Sequence, residues 1–230
     1  MPTSRSYGDA CAIGRALDVV GERWALLVVR ELLIGPQRFS DLRRALPAAS
    51  SNLVADRLRE LSARGVIRRR KLPAPAGSRV YELTEWGAGL EPILLALGGW
   101  AMPVPLPPAA TLSATSVLLF LRGSARPDPG APPATYRVEL DDRVWAVRTE
   151  SGRLDVRPGE PGRPDAALRT DPATLNALLA GTTDLDAAVS GGRAVTAGDR
   201  SALGRLIGAV TGPADGPQPR PGPAGHARMA

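Results

Sequence analysis

Residues 50–83 constrain this chain more than any other stretch. Ser50 is followed by Ser51-Asn52-Leu53-Val54-Ala55-Asp56-Arg57-Leu58-Arg59-Glu60-Leu61, in which Val54, Leu58 and Leu61 recur at i, i+4 and i+7. That spacing predicts a helix with one apolar face, leaving Ser51, Asn52, Ala55, Asp56 and Arg59 largely on the other. Ser50 suits the N-cap, and Gly65 closes the segment. Val66–Leu72 and Arg79–Leu83 then read as a hairpin carrying Arg68, Arg69, Arg70, Lys71 and Arg79, with a Pro73-Ala74-Pro75-Ala76-Gly77 tip that cannot be helical. A polar helix sized for a major groove, beside a cationic ribbon, is a device for reading double-stranded DNA.

The flanking sequence completes the unit. Asp9–Val20 places Ile13, Leu17 and Val20 at helical spacing, and Gly21 interrupts it. A largely buried helix over Trp24–Leu33 stops at Gly35-Pro36. Ser40 is the expected N-cap of a short helix over Asp41–Leu46, and Pro47–Ala49 form the turn into the reading helix. Thr84 is expected to cap one last helix over Glu85–Trp100, rich in Leu90, Ile93, Leu94, Leu97 and Trp100. That stripe is too apolar for the edge of a small monomer; together with the first helix it predicts burial against a second copy of the chain.

Charge agrees with this division. The whole chain carries +6, but Pro36–Tyr81 holds eleven Lys/Arg against three Asp/Glu, a local +8, whereas Val104 to the end holds fourteen against thirteen. The first part therefore has the electrostatic footprint of a polyanion binder and the second does not. A charge run on its own is usually a solvated surface; here it coincides with the reading helix and the hairpin. Arginine nearly replaces lysine (Lys71 is the single lysine), and Ala, Gly and Pro are heavily used, as in GC-rich bacterial genomes.

Several chemistries find no residues. The single cysteine, Cys11, leaves no intramolecular disulfide or Cys-rich zinc site, and the single histidine, His226, sits in a Pro/Gly-rich tail. A Ser-His-Asp triad, a Cys-His dyad and a His-based metal site are all implausible, so neither metal nor cofactor is expected and an enzyme is disfavoured. No signal segment and no membrane-spanning apolar run is read, which predicts a cytosolic protein without a membrane partner.

Met102–Pro108 reads as a stiff proline-rich linker. Beyond it, Val117–Leu121 reads as an apolar strand, Thr135–Leu140 alternates as a half-buried strand does, and Val144–Val147, Leu154–Arg157 and Ala166–Arg169 are further strands. Asp171-Pro172 opens a helix over Ala173–Ala180, ended by Gly181. A short helix over Leu185–Val189, a strand over Arg193–Thr196 and an Asp199-capped helix through Val210 complete the domain, and the Pro/Gly-rich stretch after Gly212 predicts disorder.

The residues Ala16-Leu17-Asp18-Val19-Val20-Gly21-Glu22-Arg23-Trp24 after Cys11, Arg38-Phe39-Ser40-Asp41-Leu42, Leu58-Arg59-Glu60-Leu61 and Tyr81-Glu82-Leu83-Thr84 resemble the HxlR branch of winged-helix regulators. The resemblance runs in order through most of the N-terminal half. It implies a homodimeric, sequence-specific transcriptional regulator, often a repressor, and in some relatives a cysteine near Cys11 senses oxidants or electrophiles. Further on, Asp165–Leu175, Leu178-Leu179-Ala180-Gly181, Gly192-Arg193-Ala194-Val195 and Gly198-Asp199 resemble the sterol carrier protein type 2 fold. That resemblance implies an apolar tunnel for lipids or other apolar molecules and no reaction.

The expected fold class is thus α+β: an N-terminal winged helix-turn-helix over 1–103, a linker over 104–110, a small sterol-carrier-like α+β domain over 111–212 and a disordered tail over 213–230. The expected DNA-binding residues are Arg38, Ser40, Arg43, Arg44, Ser50, Ser51, Asn52, Ala55, Asp56, Arg59, Arg69, Arg70, Lys71 and Arg79. Asn matches adenine, Arg guanine and Asp cytosine at base edges, although Asp56 and Arg59 are also placed to pair with each other. For a small apolar effector, aromatic or lipid-like, the candidate residues are Trp100, Leu118, Phe120, Tyr136, Val138, Trp145, Leu175, Leu178 and Leu179, each of which also suits plain core packing. Cys11 is a redox candidate, with burial at a dimer interface as its bland alternative. Three rivals stay open for the second domain: a lipid-transfer or enzymatic module, a purely structural one, and a structural domain beside a thiol-based regulator.

Overall fold

The computed structural model describes residues 6–72, 77–105 and 110–211. The hairpin tip at 73–76, part of the linker at 106–109, and the tail with His226 lie outside the described residues.

The N-terminal half contains α1 (Ala12–Val20), α2 (Ala25–Leu32), α3 (Phe39–Ala45), α4 (Ser51–Ala63), β1 (Ile67–Lys71), β2 (Arg79–Leu83), α5 (Glu85–Ala88) and α6 (Glu91–Ala101). Its core joins Val28, Val29 and Leu32 of α2 to Leu42 of α3, Val54, Leu58 and Leu61 of α4, and Ile67 of β1. Ser50 caps α4 as expected, its Oγ accepting from the Leu53 amide at 3.2 Å. The cap of α3 differs from expectation. Arg38 is the N-cap and Ser40 lies inside the helix, because the Asp41 carboxylate turns back to accept from the Arg38 amide at 3.1 Å. The hairpin gains a third edge where Gln37 and Tyr81 exchange backbone hydrogen bonds of 2.9 and 2.8 Å.

The single helix expected over Glu85–Trp100 is two. Thr84 does cap the first, accepting from Gly87 N at 3.0 Å. Gly87 lies against the turn before β1 so closely that a Cβ there would stand 2.0 Å from the Val66 carbonyl oxygen. That tertiary contact fixes the direction of α5, and Gly89 and Leu90 turn the chain before α6, which starts afresh with Pro92 in its first turn.

The C-terminal half runs α7 (Ala114–Ser124), β3 (Ala134–Leu140), β4 (Arg143–Glu150), β5 (Arg153–Pro158), β6 (Ala166–Thr170), α8 (Pro172–Leu179), α9 (Leu185–Ser190), β7 (Ala194–Gly198) and α10 (Arg200–Thr211). Its sheet has the order β5-β4-β3-β6-β7, with β3 and β6 parallel and the other pairs antiparallel. Ala134, Tyr136, Val138 and Leu140 alternate inward on β3, while Arg137 and Glu139 point outward and pair at 2.6 Å. The stretch Val117–Leu121, expected as a strand, is the middle of α7. Ser113 caps it, accepting from Ser116 N at 3.0 Å. The helix is buried at Val117, Leu118, Leu119 and Leu121 because it is covered from more than one side, by α2, by α8 and by β5. A helix covered in that way shows an unbroken apolar run, which periodicity does not separate from a buried strand.

The halves meet through buried polar groups. Gln37, 3 % exposed, donates to the Glu31 carbonyl and to Thr115 Oγ1 (3.3 Å), and its Oε1 accepts from Arg143 Nη1 at 3.0 Å. Ser113 Oγ donates to Glu31 Oε1 at 2.8 Å, and Arg122 donates to the Leu33 carbonyl (3.2 Å) and to Glu91 (2.5 Å). Leu33 and Ile34 enter the C-terminal core. Gly35, at φ +135°, lies where a Cβ would stand 2.9 Å from the Pro158 ring.

Asp171 caps α8, accepting from the Thr174 amide (2.8 Å) and hydroxyl (2.7 Å). Burial works against its charge, but the hydrogen bonds outweigh that and hold the carboxyl below its ordinary value. The resulting stability is complete above the unfolded carboxylate pKa of about 3.9 and is lost as pH falls through the lower folded value. Asp171→Ala should therefore lower stability by about 1 kcal/mol at neutral pH, with the melting curves of variant and wild type converging in acid. A difference that persists undiminished below the carboxylate range would show that the cap is not the cause.

Candidate nucleic-acid interface

The side chains of α4 divide as its spacing requires. Val54, Leu58 and Leu61 are buried; Ser51, Asn52 and Arg59 are exposed, with Ala55 and Asp56 half-buried at the surface. Loop residues Leu46 and Ala49 pack beneath, which sets the angle between α3 and α4. Arg38, Ser40 and Arg44 are exposed on or beside α3. Arg43 is partly committed elsewhere, because its guanidinium donates to the Ala49 carbonyl and ties down the turn into α4.

Internal pairing removes further charge. Arg59 is paired with Asp56, the internal pairing that their i, i+3 spacing allows. On the hairpin, Arg68 and Arg70 both donate to Glu82, at 2.7 and 2.8 Å. Burial opposes the Glu82 charge, yet these two hydrogen-bonded cations hold its carboxyl below the ordinary range. Arg69 lies over the Tyr81 ring at 5.9 Å, and Arg69, Lys71 and Arg79 form no ion pair among the described residues. Strand alternation thus sorts the basic run: one subset feeds a carboxylate and another stands free for an external anion.

This arrangement of capped helix, turn, exposed helix and cationic wing has counterparts. Residues 19–105 match the HxlR-like helix-turn-helix family model, and residues 132–210 match the SCP-2 sterol transfer family. The HTH-type transcriptional regulator YvaP of Bacillus subtilis is 40 % identical over 87 residues, spanning 38 % of this chain and 81 % of YvaP. The chain belongs to the HxlR-like helix-turn-helix family. YodB, another HTH-type transcriptional regulator of Bacillus subtilis, is 33 % identical over 86 residues, spanning 37 % of this chain and 77 % of its own. A solved structure of reduced YodB aligns at 29 % identity and a TM-score of 0.38, covering 43 % of this chain and all of that one.

The HxlR-like part thus accounts for the first half of this regulator, and the SCP-2 domain for the second. In that domain Leu118, Tyr136, Val138, Trp145, Leu175, Leu178 and Leu179 come together in one core, each at most 2 % exposed. Trp100 and Phe120 are apart from it: Trp100 is exposed at the end of α6, and Phe120 is exposed on α7, a helix rather than the strand expected. Cys11 is exposed in the single chain and occupies the N-cap position of α1, the helix whose apolar face is also open. Among the described residues no helix is long and apolar enough to cross a membrane, and no group of three or more His, Cys, Asp or Glu is placed to hold a metal ion.

Residues to which the sequence assigns no role hold the HxlR-like and SCP-2 parts together: Glu31, Gln37, Ser113, Thr115, Arg122 and Arg143. One signal for them exists, since Glu31 is a lone acid inside the apolar run of α2. Glu82 is likewise unassigned by spacing. Glu82→Gln should release Arg68 and Arg70 and steepen the salt dependence of DNA binding, by a log–log slope of about 0.9 for each new phosphate contact. Fluorescence anisotropy across a salt series checks this; an unchanged slope would mean that neither arginine reaches the backbone.

Proposed function

We propose that the chain is a homodimeric, sequence-specific repressor whose hold on its operator is set by a small molecule acting through the SCP-2 domain. The observation that carries the reading is the exposed N-terminal half of α4, with Ser51 and Asn52 outward above a buried Val54-Leu58-Leu61 face and the free cations of the wing beside it. Base edges would be read by Ser51, Asn52 and neighbouring side chains. Phosphates would be met by Arg38, Arg44, Arg69, Lys71 and Arg79. Two such helices would enter major grooves about 34 Å apart on a pseudo-palindromic site.

The dimer is supported by the apolar surface of α1, α5 and α6. Ile13, Leu17, Trp86, Ile93, Leu97 and Trp100 are all exposed, and α1 forms an apolar groove with α5 and α6 at Val19, Leu90 and Ile93. Ile93→Glu should convert a dimer to monomer in analytical ultracentrifugation. A dimer that survives this change with unaltered affinity would place the interface elsewhere.

An apolar effector entering the SCP-2 core has to part α8 from α7 and α10, because the side chains there are packed against one another. α7 packs on both α8 and α2, and α2 packs on α4, so such a movement has a continuous route to the reading helix. A second reading, thiol control through Cys11, is favoured by that residue's exposure. One binding assay separates the two. The full chain is titrated onto the DNA just upstream of its own gene at fixed salt, with apolar aromatic metabolites, with an oxidant, and with the Cys11→Ser variant. Release by a metabolite in both proteins supports the effector reading. Release by oxidant that Cys11→Ser abolishes supports thiol control, and failure to bind any such DNA counts against a repressor of its own promoter.

A further inference from the structure

A cleft of about 430 Å³ opens where the domains meet, within the range of about 300–1,000 Å³ common for small-molecule sites. One wall is α3 and the turn into α4, through Asp41, Arg44 and Pro47; the other is the β3–β4 turn and the start of α8, through Asp141 and Asp171. Glu31 reaches the cleft from α2. It is fully buried. Its Oε1 accepts from Arg30 (2.6 Å) and Ser113 (2.8 Å), whereas its Oε2 is buried with no hydrogen-bond partner. A buried carboxylate oxygen left without a donor is costly, so it marks where a donor from outside the chain gains most.

The surrounding charge sets the sign of that donor. Four carboxylates line the cleft against two guanidiniums. One of these, Arg143, is already committed: it donates to Gln37 and lies over the Trp145 ring at 4.9 Å. Asp141 is crowded, with burial first and then the charges of Asp171 and Asp142 pushing its carboxyl above the ordinary value. An incoming anion would add to this crowding, and a cation relieves it. Between the charges the walls are apolar, at Pro47, Leu112 and Pro172.

We propose that this cleft binds a small organic cation, a primary amine with an apolar body, whose ammonium donates to Glu31 Oε2. The apolar part lies along the proline and leucine walls and the acidic rim supplies the rest of the attraction. Because Asp41 forms the α3 cap and Pro47 lies in the turn that aims α4, the amine touches the part of the molecule that sets the angle of the reading helix. That it thereby changes operator affinity rests on the regulatory function proposed for the chain; the binding itself does not.

Calorimetric titration of the full chain with hexylamine and phenethylamine, with phenethyl alcohol as the uncharged counterpart, tests the site. Saturable binding of an amine is expected, with the alcohol and the Glu31→Gln variant each weaker by about tenfold or more. Asp141→Asn should bind roughly threefold more weakly and carries the test if thermal melting shows that Glu31→Gln does not fold. Failure of both amines to bind wild type, or equal binding by wild type and a folded Glu31→Gln or Asp141→Asn variant, would overturn the proposal. Operator affinity measured with and without amine keeps the two readings apart. Amine binding that leaves operator affinity unchanged supports the site and removes the coupling. Loss of all operator binding strikes the regulatory function alone, and the calorimetric result still decides the amine site.

Discussion

Helix α2 is buried from several directions, and the rest of the molecule is arranged around that fact. It packs on α3, α4, β2 and α6 of its own half and on α7 of the other. Eight residues supply two kinds of contact: Val28, Val29 and Leu32 enter the N-terminal core, and Glu31 turns toward the junction with Ser113 and Arg30. The residues that follow continue the link, with Leu33 and Ile34 in the C-terminal core and Gln37 spanning from Tyr81 on the wing to Thr115 and Arg143. A short element that serves two cores transmits displacement between them, because close-packed interiors shift by repacking rather than by yielding. The helix-turn-helix is therefore braced from behind by the domain it is fused to.

The same economy governs charge. A local +8 overstates what is available to DNA, since Arg43 holds a turn, Arg59 pairs with Asp56, Arg57 pairs with Glu60 and Glu22, and Arg68 and Arg70 share Glu82. The exposed pair Arg59–Asp56 contributes little stability, about 0–1 kcal/mol. The effect of these pairings is to fix the positions of long side chains and to thin the cationic field, which concentrates the free charge at Arg38, Arg44, Arg69, Lys71 and Arg79. Affinity that depends less on undirected phosphate attraction leaves more of the discrimination to base-edge contacts.

Legibility followed sequence separation. Ser50 capping Leu53, Thr84 capping Gly87 and Asp171 capping Thr174 are all contacts three residues apart, and each is readable from local pattern. The alternation of β3 is readable because one face is solvated. α7 reads as a strand because burial from several sides erases periodicity, and the break between α5 and α6 is hidden because it depends on a glycine meeting the Val66 carbonyl across the fold. Glu82 neutralises arginines twelve and fourteen residues away, and Ser113 meets Glu31 across eighty-two. Nothing in local spacing encodes such pairs, so the reading helix is visible from the sequence and the polar junction behind it is not.

That junction has the energetic scale a switch needs. Reversing a two-state population from 1:99 to 99:1 takes a differential affinity of about 5.5 kcal/mol, and hydrogen bonds involving charged groups contribute about 1.5–3 kcal/mol each. Arg143 to Gln37, Ser113 to Glu31, and Arg122 to the Leu33 carbonyl and Glu91 are bonds of this class that cross between the halves. Three of them together amount to about 4.5–9 kcal/mol, so a ligand that trades three for its own contacts reaches that scale without disturbing either hydrophobic core. The apolar core of the SCP-2 domain, by contrast, is filled by its own side chains and has to part before it takes an apolar guest. Polar exchange at the seam is thus the lower-cost way for this architecture to pass a chemical signal to α4.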